Sequence, residues 1–357
     1  MSRLARARLR DLGIVTGDLP TGPHNAITDV AGVTVGYRSL IADEPHVVRT
    51  GVTAIWPRGP STWSDAVYAG GFSFNGNGEM TGMAWLAEQG LLASPIGITS
   101  THSVGAVHEA ICRLAVRDGG PSEWMLPVVA ETYDGWLSDR AAFAITPQIA
   151  IEAFDSASDT PPAEGNVGGG TGMICHEFKG GTGTASRVVA AEDGAWTVGA
   201  LVQANYGIRA ALRFAGAPVG RAIGYETVPS PFAIRRDAGS IIVILATDAP
   251  LLPIQCQRLA RRATTGLAWV GGYGGNGSGD IFLAFATGNH LGDARRTTDV
   301  RMAAPEALSP LFQAAAEATE EAILNALVAA DTMTGFAGHS AQAIPLDLLK
   351  QAVLGST

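Results

Sequence analysis

The apolar run over residues 241–247, IIVILAT, is the strongest signal in the polarity pattern of this chain. It is short and rich in β-branched side chains, so it predicts a buried strand rather than a helix. Shorter apolar stretches predict further strands at 25–30, 33–37, 52–56, 125–130 and 281–287. Two more runs, 185–191 and 196–204, flank Glu192-Asp193-Gly194. Asp-Gly between such runs predicts a hairpin.

Apolar positions at helical spacing predict helices over 83–92 and 106–117. Asp248-Ala249-Pro250 predicts the start of a helix that reaches about residue 265, and Ser309-Pro310 starts a long helix to about residue 330. Strand pairs alternate with helices, without a repeating βαβ unit and without a linker between two cores. We therefore expect a single domain over residues 1–357, a layered α/β sandwich in which sheets pack on each other and helices lie outside.

Composition narrows the class of protein. Hydrophobic residues make up 46% of the 357 positions and charged residues 16%, which is typical of a compact body with much buried surface. The net charge is −9 and the basic residues cluster only at Arg3, Arg6, Arg8 and Arg10, so no nucleic-acid partner is expected. We find neither a membrane-spanning stretch nor a secretory signal. The scattered Cys112, Cys175 and Cys256 predict free thiols and a cytoplasmic location.

Gly239-Ser240 places a serine directly before the predicted buried strand. If the chain were cut between these two residues, Ser240 would carry a hydroxyl nucleophile and, in its own α-amine, a general base. A free α-amine has a pKa of roughly 7.7–8, which suits a base that works near neutral pH. Such a serine needs no histidine. Gly-Ser before a strand is also a common turn.

Two further strand ends carry polar residues that suit the same chemistry. Ser278 and Asp280 lie at the start of a strand, two positions apart and therefore on one face, where they could relay a proton or hold the Ser240 amine. Asn205 closes a strand and offers the amide donor that an oxyanion hole requires. Taken singly, Ser278 also suits a turn cap and Asn205 a left-handed turn.

Glu131 and Tyr133 follow the strand at 125–130. A carboxylate there would suit a substrate ammonium group, and a phenol could donate to an oxyanion. Each residue, considered alone, is also typical of a surface turn.

Other kinds of site have weaker support. No metal-ligand spacing occurs among the histidines, so no metal or other cofactor is expected, and no G-x-S-x-G motif indicates a serine–histidine hydrolase. Cys175 beside His176 could form a thiol nucleophile, although neighbours on a strand point to opposite faces. The glycine-rich 168–172 stretch could cradle a phosphate through backbone amides, or could be a tight turn beside a packed strand.

Taken together, these motifs resemble the DmpA-like family of self-processing serine aminopeptidases, also called β-peptidyl aminopeptidases. The resemblance runs nearly from end to end and is most diagnostic around Ala238-Gly239-Ser240 and the strand that follows. The other matching stretches are 8–14, 19–23, 25–33, 77–82, 101–105, 131–135 and 168–173.

The resemblance implies a four-layer α-β-β-α sandwich like that of N-terminal-nucleophile hydrolases. It also implies cleavage into fragments 1–239 and 240–357, assembled as a homotetramer of such pairs. Ser240 would be the nucleophile, supported by Ser278 and Asp280, although some members have Glu at the position of Asp280. Asn205 would bind the oxyanion, and Glu131 and Tyr133 the substrate.

The implied reaction removes N-terminal residues from short peptides, amides or esters, with D-alanyl or β-aminoacyl groups as possible substrates. Three alternatives stay open: a related amide hydrolase or acyltransferase, a nucleotide-binding protein that uses the 168–172 loop, and a family member that is never cut. In the acyltransferases the nucleophile is usually Thr, so Ser240 argues against that alternative.

Overall fold

The computed structural model describes residues 6–120, 124–192, 194–232, 238–292 and 297–355. Asp193 of the predicted hairpin turn and the residues 233–237, which closely precede Gly239-Ser240, lie outside the described residues. The described strands are β1 (Thr34–Ala42), β2 (Val48–Pro60), β3 (Val67–Gly76), β4 (Leu91–Leu92), β5 (Ile96–Ser100), β6 (Val128–Thr132), β7 (Ile174–Cys175), β8 (Phe178–Lys179), β9 (Gly181–Ala191), β10 (Gly194–Asn205), β11 (Ala238–Thr247), β12 (Gly277–Ala286), β13 (Met333–Thr334) and β14 (Ser340–Ala341).

The described α-helices are α1 (Met83–Gln89), α2 (Val104–Arg117), α3 (Pro147–Asp155), α4 (Val219–Ala222), α5 (Pro253–Ala260), α6 (Ala263–Val270), α7 (Leu308–Ala329) and α8 (Leu346–Leu354). Among the described residues, no helix is long and apolar enough to cross a membrane. Cys112, Cys175 and Cys256 are all free thiols, as the sequence predicts.

Two sheets form the centre of the described part of the chain. The smaller sheet has the strand order β1-β2-β5-β6 and the larger sheet β4-β3-β12-β11-β10-β9. One apolar core lies between the sheets, with members such as Ile55, Ile98 and Ile244. A second core joins the larger sheet to α5, α6 and α7, and a third joins the smaller sheet to α2 and α3. The layers therefore follow the order helix, sheet, sheet, helix, which confirms the predicted sandwich.

β11 lies inside the larger sheet, parallel to β12 and antiparallel to β10. Its apolar run is buried on both faces, and its side chains alternate between the two cores. Ile241, Val243 and Leu245 face the helices, whereas Ile242, Ile244 and Ala246 face the other sheet. This two-sided burial explains why the run is continuously apolar.

Some predicted elements are wrong in detail. Residues 25–30 do not form a strand, because the Asp29 carboxylate accepts from the amides of His24 and Ala26 and holds a short 3₁₀ turn. The helix predicted over 83–92 ends at Gln89, since Gly90 is left-handed with φ 75° and the chain continues as β4. The helix predicted up to about residue 265 consists of two helices, α5 and α6.

Candidate active site

Ser240 lies at the start of β11, opposite Asn205 of β10 and Gly279 of β12. Its side chain is only 6% exposed. The hydroxyl donates a hydrogen bond of 2.6 Å to the carbonyl oxygen of Gly239. The hydroxyl and the preceding peptide carbonyl are thus in direct contact.

Gly239 is enclosed by the neighbouring strand. A Cβ built on this residue would lie 2.7 Å from Tyr206 Cα and 2.8 Å from the carbonyl oxygen of Asn205. Real Cβ atoms do not approach backbone so closely, and here the obstacle is backbone rather than a flexible side chain. The site therefore accepts only glycine at this position.

A cavity of about 300 Å³ opens beside Ser240. We refer to it as the Ser240 cavity. Five of the residues predicted from the sequence line it together, which are Gly239, Ser240, Asn205, Glu131 and Tyr133. They come from three different strands and their ends, so the fold gathers motifs that are far apart in the sequence.

Asn205 has a fixed side-chain amide. Its Oδ1 accepts from the backbone N–H of Ile174 at 2.8 Å, and its Nδ2 donates to the carbonyl oxygen of Tyr133 at 3.0 Å. The two bonds set the amide orientation. Because Nδ2 carries two hydrogens, one N–H remains to donate, and Asn205 and Ser240 line the same cavity.

Glu131 is a buried carboxylate on β6, 4% exposed. It accepts from the backbone N–H of Glu79 at 3.0 Å and from the Thr101 hydroxyl. Burial raises the pKa of Glu131, while these two hydrogen bonds lower it in part. A cationic ligand would restore the charge balance of this carboxylate, so the position suits a substrate ammonium group.

Tyr133 contributes to the site mainly through its backbone, whose carbonyl orients Asn205. Its side chain is 38% exposed, and the phenol oxygen accepts from Arg140 Nη1 at 3.3 Å. This contact turns the phenol toward Arg140.

Ser278 and Asp280 form the pair that their spacing predicts. Ser278 Oγ donates to Asp280 Oδ1 at 2.7 Å, and both residues are buried. Burial raises the pKa of Asp280, against the lowering effects of Ser278 and of the Ile241 amide. In the parallel β11–β12 ladder, residues 278 and 280 pair with 239 and 241.

The Ser278–Asp280 pair lies on the opposite face of the sheet from the Ser240 hydroxyl. Both side chains line a separate cavity of about 30 Å³ together with Gly239 and Tyr206. Their face is that of Ile241, which points to the helices, whereas Ser240 shares its face with Ile242. The pair therefore does not share a face with the Ser240 hydroxyl.

Sequence reasoning missed several residues of the Ser240 cavity. Trp136, Ile174 and Phe232 supply apolar wall, and Glu177 adds a second buried carboxylate. Trp136 packs edge-on against Phe232, with ring centroids 5.0 Å apart, and stacks on His339 at 3.7 Å. Trp136 closely follows Glu131 and Tyr133 in the sequence, which is the one signal that could have identified it.

The glycine-rich stretch 168–172 is a buried 3₁₀ turn and does not offer a phosphate site. The amide of Gly168 donates to Ser39 Oγ at 2.8 Å, and that of Gly169 to Thr53 Oγ1 at 3.1 Å. A Cβ on Gly169 would lie 2.0 Å from Gln203 Oε1, so no ligand fits against this glycine.

Cys175 and His176 do not form a thiol–imidazole pair. Burial raises the pKa of Cys175 to about 12, and burial also lowers the pKa of His176 to about 4. His176 Nδ1 donates to the carbonyl oxygen of Ile208 at 2.9 Å. Among the described residues, no group of three or more His, Cys, Asp or Glu side chains could hold a metal ion.

Comparison with known proteins agrees with this geometry. The sequence profile described as peptidase family S58 matches residues 25–341. The chain belongs to peptidase family S58. It is 49% identical to the β-peptidyl aminopeptidase BapA of Sphingosinicella microcystinivorans, over 95% of this chain and 89% of that protein. The β-peptidyl aminopeptidase BapA of Sphingosinicella xenopeptidilytica is 44% identical, over 97% and 90% respectively.

Solved structures show the same fold. A β-aminopeptidase of Burkholderia sp. superposes with a TM-score of 0.91 at 50% identity, covering 98% of this chain and 99% of that chain. The L-aminopeptidase D-Ala-esterase/amidase of Ochrobactrum anthropi, described as a variant of the Ntn hydrolase fold, gives 0.89 at 45% identity, with 98% of each chain covered. This chain is therefore a serine aminopeptidase of the N-terminal-nucleophile type.

Proposed function

We propose that the chain cuts itself between Gly239 and Ser240, and that the processed enzyme removes the N-terminal residue of short β-peptides and aminoacyl amides. The observation that carries this proposal is the position of the Ser240 hydroxyl. It lies 2.6 Å from the Gly239 carbonyl oxygen and at the same time lines a cavity with Asn205 and Glu131.

The self-cleavage has two steps. Ser240 Oγ attacks the Gly239 carbonyl carbon, its proton passes to the Ser240 nitrogen, and the C–N bond breaks to leave an ester and a free α-amine. Water then adds to the ester and the C–Oγ bond breaks, which frees the Gly239 carboxylate and restores the serine hydroxyl. The enclosure of Gly239 by Asn205 and Tyr206 holds the reacting carbonyl in place.

The processed enzyme uses the same hydroxyl on a substrate. Oγ attacks the scissile carbonyl while the Ser240 α-amine takes its proton, and the free hydrogen of Asn205 Nδ2 stabilises the oxyanion. The amine returns the proton to the leaving group, and water hydrolyses the acyl-enzyme. Ser278, which donates its own hydrogen to Asp280, can accept from the α-amine on the opposite face of the strand.

Glu131 would bind the substrate ammonium group, which makes the enzyme an aminopeptidase rather than an endopeptidase. We favour β-aminoacyl substrates because the names of the relatives at 49% and 44% identity specify β-peptides. The D-alanyl substrates named for the Ochrobactrum anthropi protein are the second candidate.

The decisive experiment compares wild type with Ser240→Ala by intact mass under denaturing conditions. Wild type should give two fragments that meet at Gly239-Ser240, and Ser240→Ala should give one uncut chain without activity on β-alanyl p-nitroanilide. An active Ser240→Ala enzyme would overturn the assignment of the nucleophile. A Glu131→Gln enzyme with unchanged KM would count against the ammonium anchor.

Two further features are proposals as well. We propose a homotetramer of processed pairs, which light scattering of the purified protein tests directly. We also propose a cytoplasmic location, supported by three free thiols, and cell fractionation would test it.

A further inference from the structure

Phe232 forms one wall of the Ser240 cavity from a segment far from the other wall residues in sequence. Its ring meets Trp136 edge-on, and Trp136 in turn stacks on His339 with an interplanar angle of 4°. His339 Nδ1 also donates to the carbonyl oxygen of Trp136 at 2.9 Å. His339 therefore fixes the position of Trp136. The position of the aromatic wall of the Ser240 cavity then depends on how Phe232 is fixed.

Ser230 connects Phe232 to a buried carboxylate. The backbone N–H of Phe232 donates to Ser230 Oγ at 3.2 Å, and Ser230 Oγ donates to Glu177 Oε2 at 2.7 Å. One hydroxyl thus accepts from the wall residue and donates to Glu177. We call this three-residue connection, Glu177–Ser230–Phe232, the wall latch.

Glu177 is itself fixed on several sides. Its Oε1 accepts from the Tyr225 hydroxyl at 3.1 Å and from the Arg209 amide at 3.2 Å. Arg209 Nη2 donates to the Glu177 carbonyl oxygen at 2.7 Å, and its guanidinium group lies 3.9 Å from the centroid of the Phe178 ring. Glu177 is 4% exposed and Arg209 1% exposed, so these bonds are sheltered from water.

The turn that carries Glu177 is strained. His176 and Glu177 connect β7 to β8 and have φ angles of 49° and 62°, a conformation that usually requires Asn or Gly. Strain of this kind persists where the surrounding structure imposes it, and it concentrates at functional sites. Here it brings the Glu177 carboxylate to the wall of the Ser240 cavity.

We propose that Glu177, acting through Ser230, is a positioning residue that fixes Phe232 and so sets the preference of the enzyme for the side chain of the substrate's N-terminal residue. The inference rests on the proposed function of the Ser240 cavity. A fixed aromatic wall favours substrates with an apolar side chain, which pack against the ring. A substrate without a side chain gains little from the wall.

The test measures kcat/KM for two β-aminoacyl p-nitroanilides, one with a benzyl side chain and one, β-alanyl, with none. Ser230→Ala should lower the ratio of benzyl to β-alanyl kcat/KM by about tenfold, mainly through a higher KM for the benzyl substrate. Ser230→Thr keeps the hydroxyl and should restore the ratio. Ser64→Ala removes an exposed hydroxyl that donates to the Ser61 carbonyl, and should leave the ratio unchanged.

A double-mutant comparison separates positioning from general stability. Phe232→Ala should lower the ratio as Ser230→Ala does, and the double variant should be no worse than Phe232→Ala alone, because the latch acts only through the ring. The inference would be overturned if the effects of the two substitutions on the ratio added in free energy. It would also be overturned if Ser230→Ala lowered kcat/KM equally for both substrates.

Binding measurements keep this test separate from the proposed function. Calorimetry of benzyl-bearing and β-alanyl amides with Ser240→Ala, with and without Ser230→Ala, repeats the comparison without turnover and in chains that are all uncut. If processed wild type cleaves neither p-nitroanilide, the proposed function fails, while the ratio of the two affinities still decides the role of Ser230.

Discussion

Asp134 is a buried carboxyl group next to Tyr133, and the mechanism does not use it. It is 5% exposed, and its Oδ2 has no hydrogen-bond partner among the described residues. Burial raises its pKa to about 7, and the negative charge of Glu131 adds to this effect. The folded protein therefore binds a proton at Asp134 more tightly than the unfolded chain, in which an aspartate has a pKa near 3.9.

The raised pKa of Asp134 makes the stability of the wild type depend on pH. From about pH 4 to pH 7 the folded state keeps this proton and the unfolded state does not, so the contribution of Asp134 to the free energy of unfolding falls as pH rises. Asp134→Asn cannot titrate at this position. Its free energy of unfolding relative to wild type should therefore increase by a few kcal/mol over this interval, because a tenfold difference in proton affinity is worth about 1.4 kcal/mol. Urea denaturation at pH 4.5 and 7.5 measures the difference.

The control for this prediction is Asp159→Asn, at an exposed position. Its difference from wild type should change little between the two pH values. If the difference in free energy of unfolding between Asp134→Asn and wild type did not vary with pH, a protonated Asp134 would be contradicted.

At the scale of elements, α6 and α7 pack so closely that one helix needs a glycine. A Cβ on Gly266 of α6 would lie 2.3 Å from the carbonyl oxygen of Ala316 in α7. In contrast, a Cβ on Gly105 of α2 would meet no atom of the described residues within 4 Å. The same substitution at the two positions thus separates helix propensity from packing.

Gly105→Ala should stabilise the protein by up to about 1 kcal/mol, because alanine loses less backbone entropy in a helix than glycine. Gly266→Ala should destabilise it by about 1–3 kcal/mol, since α7 must move to admit the methyl group. Thermal unfolding of both variants beside wild type tests this pair. A stabilised Gly266→Ala protein would show that the two helices separate at little cost.

At the scale of the whole molecule, the proposed cleavage divides a sheet whose strands are interleaved. All of β12 and all of β11 except its first two residues follow the cleavage site, yet both strands lie between β10 and β3, which precede it. Each fragment would therefore complete the hydrogen bonding of the other. The processed pair should stay together because separation would expose strand edges on both sides.

A buried ion cluster crosses the same fragment boundary. Arg187 of β9 is fully buried and donates to Glu317 at 3.0 Å and to Glu321 at 2.7 Å, both on α7. Arg10 pairs with Glu321 at 2.8 Å. The arginines precede residue 240 and the glutamates follow it, so the cluster would join the two fragments.

Arg187→Met should destabilise the processed protein by about 3–5 kcal/mol, because it leaves buried carboxylates without their partner. Urea denaturation, with size-exclusion chromatography to detect separated fragments, measures the effect. The control is Arg113→Met, which breaks an exposed pair with Glu109 and should cost less than about 0.5 kcal/mol. If both variants lost the same free energy of unfolding, a special role for the buried cluster would be contradicted.

The fold class and many residues of the candidate site could be predicted from the sequence. The run 241–247 predicted a buried strand because continuous apolarity requires cover on both faces, and β11 has that cover. The motifs around Gly239-Ser240, Glu131 and Asn205 indicated the family, which the comparisons confirm. The catalytic roles of these residues stay predictions.

Only the tertiary structure decided which motifs share a cavity. Polarity patterns show which face of a strand is buried, but not which element covers it. Thus Ser278 and Asp280 lie across the sheet from the Ser240 hydroxyl, although the sequence places all three at strand starts. Similarly, Trp136, Phe232 and His339 meet through long-range packing that no local pattern encodes. Local periodicity therefore determined the strands, and the packing of sheet ends determined the site.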